Sequence, residues 1–255
     1  MKRVRIIPSL LIRKGGLVKS VKFKDHKYVG DPINAVKIFN EKEVDEIVIL
    51  DISATAEKRP PNIAQIKEIA SEAFMPLGYG GGITTLEEIR TLISSGVEKV
   101  ILNASALNRP DLIKDGAAYV GSQSIVVSID VKKDLWGKYK VYGQNGAKNT
   151  GLDPVSFAQQ MEKAGAGEIL LNSVDRDGTF KGYDLELISL VSAAVKIPVV
   201  AIGGASSTDD FAAAVHAGAS AAAAGSLFVF QRPHRAVLIS YPAQTELKRK
   251  VFEKI

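Results

Sequence analysis

"MPLGYGGGITT" (residues 75–85) and "IPVVAIGGASS" (residues 197–207) share one build, and the distance between them decides the fold. Each is a short apolar run that ends in adjacent glycines and then in small hydroxyl residues. Two further pairs keep the same offset of 122 residues: "VDEIVILDIS" (44–53) with "AGEILLNSVD" (166–175), and "SSGVEKVILNAS" (94–105) with "HAGASAAAAGSL" (216–227). A repeat of this length is half a domain rather than a solenoid unit. Apolar runs predict strands over 4–10, 46–51, 76–79, 99–103, 125–130, 168–173, 198–202 and 221–225. Helix-period segments lie between most of them, such as "DPINAVKIFNEK" (31–42) and "TTLEEIRTLISSG" (84–96), the latter with Thr84 or Thr85 as N-cap and Gly96 beyond its end. Strands apolar on both faces and joined by helices make a parallel sheet. Eight such units predict one closed (β/α)₈ TIM barrel, built from two fused half-barrels at about 1–122 and 123–255.

A chain of 255 residues suits one domain of this kind. The formal charge is +5, with part of the excess in the loop after strand 1 (Arg13, Lys14, Lys19, Lys22, Lys24, Lys27) and part in the tail "ELKRKVFEKI". No aromatic-interleaved basic patch accompanies it, so no nucleic-acid partner is expected, and a phosphorylated metabolite fits better. The absence of cysteine excludes a disulfide framework, a thiolate metal site and a cysteine nucleophile. His26, His216 and His234 have no metal-ligand spacing, so neither metal nor cofactor is expected. "MKRVRIIPSLLI" meets Pro8 too soon for a signal peptide and no apolar run spans a bilayer, so the expectation is a cytoplasmic chain with no membrane partner.

Active sites of such barrels sit at the strand C-terminal ends. There Gly80, Gly81 and Gly82 after strand 3, and Gly203 and Gly204 after strand 7, form glycine-rich strand-to-helix turns. Glycine lets backbone N–H groups approach an anion, although one such turn alone is as easily a tight turn. Asn103 and Ala104 follow strand 4, and Gly225 and Ser226 follow strand 8, which makes two symmetry-related candidate phosphate sites and a ligand phosphorylated at both ends. Asp51, Ser173 and Asp177 are candidate ligand-facing residues near strand ends, whereas Asp175 reads equally as a turn or cap carboxylate. "IIPSLLIRKG" (6–15) and "IVVSIDVKK" (125–133) align so that Leu11 and Asp130 occupy equivalent strand tips across the mouth. At the opposite face, Arg5, Glu46, Lys99 and Glu168 stand at or near strand starts, where a charged ring reads first as a salt-bridged plug.

With these segments, "KRVRIIPSLL", "GSQSIVVSIDVK", "KNTG" and "GAGEILLNSVDRDGT" among them, the chain resembles the cyclase subunit of imidazole glycerol phosphate synthase over nearly its whole length. The resemblance implies a barrel docked at its strand-start face to a glutaminase subunit. Ammonia then passes up the barrel to a bisphosphorylated substrate, and two aspartates act as acid and base. It makes Arg5, Glu46, Lys99 and Glu168 an ammonia gate, and Lys19 a mobile-loop substrate lysine that can equally be solvated. One catalytic aspartate is retained as Asp130, while the other position holds Leu11, within "LLIRKGG". "PHRAVLISYP" (233–242) also departs from the cyclases. The pattern is similar to divergent relatives tied to surface-polysaccharide synthesis, where ammonia serves an acetamidino sugar with a separate sugar-modifying synthetase. The expected function is therefore an ammonia-conducting synthase subunit. A cyclase of histidine biosynthesis that tolerates Leu11, or a non-catalytic scaffold that activates the glutaminase, stands as the alternative.

Overall fold

The computed structural model describes residues 3–231 and 234–255, so Met1, Lys2 and Pro233 of the stretches quoted above lie outside the described residues. Eight parallel strands close on themselves: β1 (Arg5–Arg13), β2 (Ile47–Asp51), β3 (Leu77–Gly80), β4 (Lys99–Leu102), β5 (Ile125–Lys133), β6 (Glu168–Ser173), β7 (Val199–Ile202) and β8 (Ala221–Ala224). Each pairs with its sequence neighbours, and β8 returns to β1 with Arg5 opposite Ala221. The (β/α)₈ barrel expected from the repeat is the observed architecture. β8 is four alanines, poor strand formers on their own, and pairing on both edges holds them extended.

Helices cover the outside: α1 (Pro32–Glu41), α2 (Ile63–Glu72), α3 (Leu86–Ser94), α4 (Asp111–Val120), α5 (Pro154–Ala164), α6 (Leu185–Ser192), α7 (Thr208–His216) and α8 (Gln244–Leu247). Their starts follow local chemistry. Asp31 caps α1 and Asp153 caps α5, each followed by proline in the first turn, where the missing N–H costs nothing. Thr85, rather than Thr84, caps α3 in a reciprocal capping box with Glu88. The main core lies between helices and sheet, with Phe39, Ile89 and Phe211 fully buried.

A second, smaller core fills the barrel itself. Ile7, Val48, Ile101, Val126, Leu170 and Val200 point inward with Ala221 and Ala223. The period of two along each strand then fixes what else faces inward. On β1 these are Arg5, Ser9 and Leu11; on β5, Ser128 and Asp130; on β6, Glu168 and Asn172.

Two excursions depart from expectation. The basic segment after β1 is not a loop: β1 runs on to Arg13 and pairs antiparallel with a strand at Gly16–Val21, which pairs in turn with Lys24–Gly30. Likewise β5 runs past Asp130 to Lys133 and pairs with Tyr139–Gly143. β1 and β5 thus each run on into a hairpin over the mouth.

Candidate functional site

The mouth holds one pocket, about 160 Å³, that draws on both halves of the chain. It brings together Leu11 and Asp130, both glycine turns, Asn103, Ala104, Gly225 and Ser226, and also Lys19, Asp51 and Asp177. The glycines are there for space as well as conformation. Gly81 has φ +126°, and a Cβ on it would lie 2.4 Å from the Asp51 carbonyl oxygen; Gly204 has φ +107°, and a Cβ would lie 2.3 Å from that of Gly182. The first turn is pressed against the end of β2 and the second against the loop that follows β6.

Asp130 is buried, and both its oxygens accept hydrogen bonds. The Asn172 amide donates to Oδ1 at 3.3 Å and the Asn103 amide donates to Oδ2 at 3.2 Å. Burial pushes its carboxyl up to about 7, with Asp177 nearby adding to the rise and the two amides opposing it. Such a group exchanges protons at neutral pH. Leu11 contributes only apolar surface.

Lys19 lines the mouth pocket. It is not solvated but buried on the strand Gly16–Val21, and its ammonium donates to the Ser9 carbonyl. Burial lowers its pKa to about 8, partly offset by Asp177. Asp177, half-buried, accepts from the Ser20 hydroxyl at 3.2 Å, and burial raises its pKa. Asp51 is tied up locally: it pairs with Arg59 at 2.8 Å and accepts the Ser53 and Ala54 N–H groups. Ser173 points out of the barrel, where its hydroxyl donates to Asp184 at 3.5 Å, and it does not line the pocket. Asn172, one residue earlier, does. The alternation counted from Glu168 already places 172 inward and 173 outward. Asp175 accepts the Lys133 N–H at 3.0 Å and so braces the far end of β5 rather than its own turn. Among the described residues no cluster of three or more metal-ligating side chains exists, and no helix is long and apolar enough to cross a membrane.

At the other end of the barrel, Arg5, Glu46, Lys99 and Glu168 meet in one closed ring. The Arg5 guanidinium donates to Glu46 and, at 3.1 Å, to Glu168; the Lys99 ammonium donates to both carboxylates at 2.9 Å. Each cation bridges both anions, and the formal charge of the ring is zero. Directly above it lie the apolar side chains of the inner core.

The sequence matches the family of histidine biosynthesis proteins over residues 5–233. The chain belongs to this family of histidine biosynthesis proteins. It is 52% identical over 248 residues to a Pseudomonas aeruginosa protein named "Putative imidazole glycerol phosphate synthase subunit hisF2", covering 97% of this chain and 99% of that one. It is 50% identical over 251 residues to a Vibrio vulnificus protein named as subunit hisF3, likewise "putative", covering 98% and 96%. The Alkaliphilus metalliredigens protein named imidazole glycerol phosphate synthase subunit HisF is 49% identical over 225 residues, covering 88% and 89%.

Proposed function

We propose that this chain is the ammonia-conducting synthase subunit of a glutamine amidotransferase. A glutaminase subunit docks at the strand-start face, ammonia enters through the ring of Arg5, Glu46, Lys99 and Glu168, and it emerges beside Asp130. The observation that carries the reading is that ring, set beneath an apolar barrel interior that leads to the buried Asp130 carboxyl. A buried ion network is a poor device for stability, because desolvation offsets most of its attraction. Neutral ammonia crosses an apolar interior at small cost, whereas ammonium does not.

Leu11 bears on the acceptor. Cyclisation by two carboxylates requires a second proton-transfer group, and the loss of one general acid or base costs about 10²–10⁴ in rate. We therefore assign the emerging ammonia to the acetamidino group of a surface-polysaccharide sugar, with a separate sugar-modifying synthetase forming the C–N bond. Cyclisation in histidine biosynthesis is the second reading, favoured by Asp130 and by the two glycine turns. In either case the turns at Gly80–Gly82 with Asn103–Ala104, and at Gly203–Gly204 with Gly225–Ser226, hold the phosphates of a small-molecule ligand, and Lys19 and Asp177 face its middle.

The test compares Lys99→Ala with the parent chain, each with the cognate glutaminase. The ratio of product formed, or of ammonia released to solvent, to glutamine hydrolysed should change while the barrel stays folded. Unchanged coupling with only a lower melting temperature would reduce the ring to a structural plug.

A further inference from the structure

Above its apolar layer the barrel interior turns polar. Ser9 on β1, Ser128 on β5 and Asn172 on β6 line the floor of the mouth pocket, beside Asp130. Among the described residues, two buried side-chain atoms have no hydrogen-bond partner, and both are in this collar: Ser9 Oγ and Asn172 Oδ1. Ser9 is 2% exposed and Asn172 is 7% exposed, so bulk water does not satisfy them. Buried polar atoms are nearly always paired, and exceptions demand an explanation.

The orientation of Asn172 is not arbitrary. Its Nδ2 donates to Asp130 Oδ1, so the amide oxygen points away from Asp130. Gly203 keeps that oxygen uncovered, since a Cβ there would stand 2.9 Å from Oδ1. At Ser9 the carbonyl is occupied by Lys19, which leaves the hydroxyl as the free group.

We infer that Ser9 Oγ and Asn172 Oδ1 form a binding site for one neutral ammonia molecule, between the apolar interior and Asp130. This rests on the conduction reading and deepens it. Ammonia offers three N–H donors and one lone pair. Asn172 Oδ1 accepts one N–H, and the Ser9 hydroxyl either accepts a second or donates to the lone pair. Ammonium fits poorly: it has no lone pair, it must shed its hydration to cross the layer below, and the Lys19 cation is adjacent. The site selects the form able to attack an electrophile and halts it one residue from the group that can take up its proton.

The experiment uses the full chain without glutaminase, so its failure is separable from failure of the coupling test above. Selective ¹³C labelling of asparagine, with the Asn172 carbonyl resonance assigned by its loss in Asn172→Leu, gives the reporter. Ammonium chloride is titrated at a pH where free ammonia is abundant and at neutral pH where it is scarce, with sodium chloride as control. The expected result is a saturable shift of Asn172 that follows ammonia rather than ammonium concentration, and that needs severalfold more ammonia in Ser9→Ala. A shift that sodium chloride reproduces, or none at all, would mean water alone occupies the collar and would overturn the proposal. A saturable shift alongside a failed coupling test would leave the site standing without the conduit.

Discussion

Replacing Asp130 with asparagine should stabilise this protein, and only above a definite pH. The carboxyl ordinarily ionises near 3.8, and burial raises it to about 7 in the folded chain. The fold therefore prefers the neutral form by about three pH units, which is about 4 kcal/mol at 1.36 kcal/mol per unit. A carboxyl raised by burial works in the opposite sense to a salt-bridged one. Below the unfolded value both states are protonated, and asparagine, with one acceptor and a donor group, is a near match for the neutral acid. As pH rises from about 4 to about 7 the unfolded chain loses its proton first, so the folded parent binds more protons and its stability falls with pH. Above 7 the loss is complete. The Asp130→Asn variant lacks this loss, so its advantage should be near zero at pH 4 and grow to about 4 kcal/mol by pH 8. At about 2–4 °C per kcal/mol, that is a rise of about 8–16 °C in melting temperature. Thermal and urea unfolding at pH 4, 6 and 8 measure it directly. An advantage that is the same at pH 4 and pH 8 would refute the placement of a raised carboxyl in the barrel mouth. Since Asp130 is also the proposed proton-transfer group, the same variant should lose synthase activity, an exchange of stability for function.

Two further outcomes are expected. In the charged ring, Lys99→Met should cost about 2–3 kcal/mol, below the usual 3–5 for a broken buried pair, because Arg5 still holds both carboxylates and Lys99 is partly exposed. Adding Glu168→Gln restores neutrality, so a urea double-mutant cycle should show the pair non-additive by more than about 1 kcal/mol; additivity within about 0.5 would show that the four charges are not one network. The only tryptophan, Trp136, is 82% exposed at the tip of the β5 hairpin, so its emission should change little on unfolding, and a strongly blue-shifted native spectrum would contradict that geometry.

The barrel was legible because parallel strands buried on both faces leave continuous apolar runs, and because similar segments recur at a fixed offset of 122 residues. β6 begins and ends where its sequence says it should, at Glu168 and Ser173. The hairpins after β1 and β5 were not legible. The first turns through Lys22 and Phe23, both with left-handed backbone, where no glycine or asparagine marks the place. Its sequence reads as a solvated basic loop, and only the fold shows that the returning strand carries Lys19 inward. The second is braced by contacts distant in sequence, the one Tyr139 hydroxyl proton shared between Asp184 at 2.8 Å and Glu186 at 2.9 Å. Asn172 was legible in principle, since counting in twos from an inward Glu168 reaches it. Ser173 attracts notice as a hydroxyl at a strand end, but alternation outranks residue type there.

The two cations of the ring are not equivalent as moving parts. Arg5 grips with a planar fork, one terminal nitrogen on Glu46 and the other on Glu168. Lys99 reaches the same carboxylates with a single nitrogen at the end of a four-carbon stem. An ammonium on a flexible stem can leave by rotating a few bonds, whereas a guanidinium must break a matched set of contacts together. In the conduction reading proposed above, Arg5 would be the hinge side of the ring and Lys99 the latch side. Release at Lys99 would leave the two carboxylates clasped by arginine, so the aperture would form beside β4. A substitution that exchanged the two residue types would move the opening across the barrel to β1.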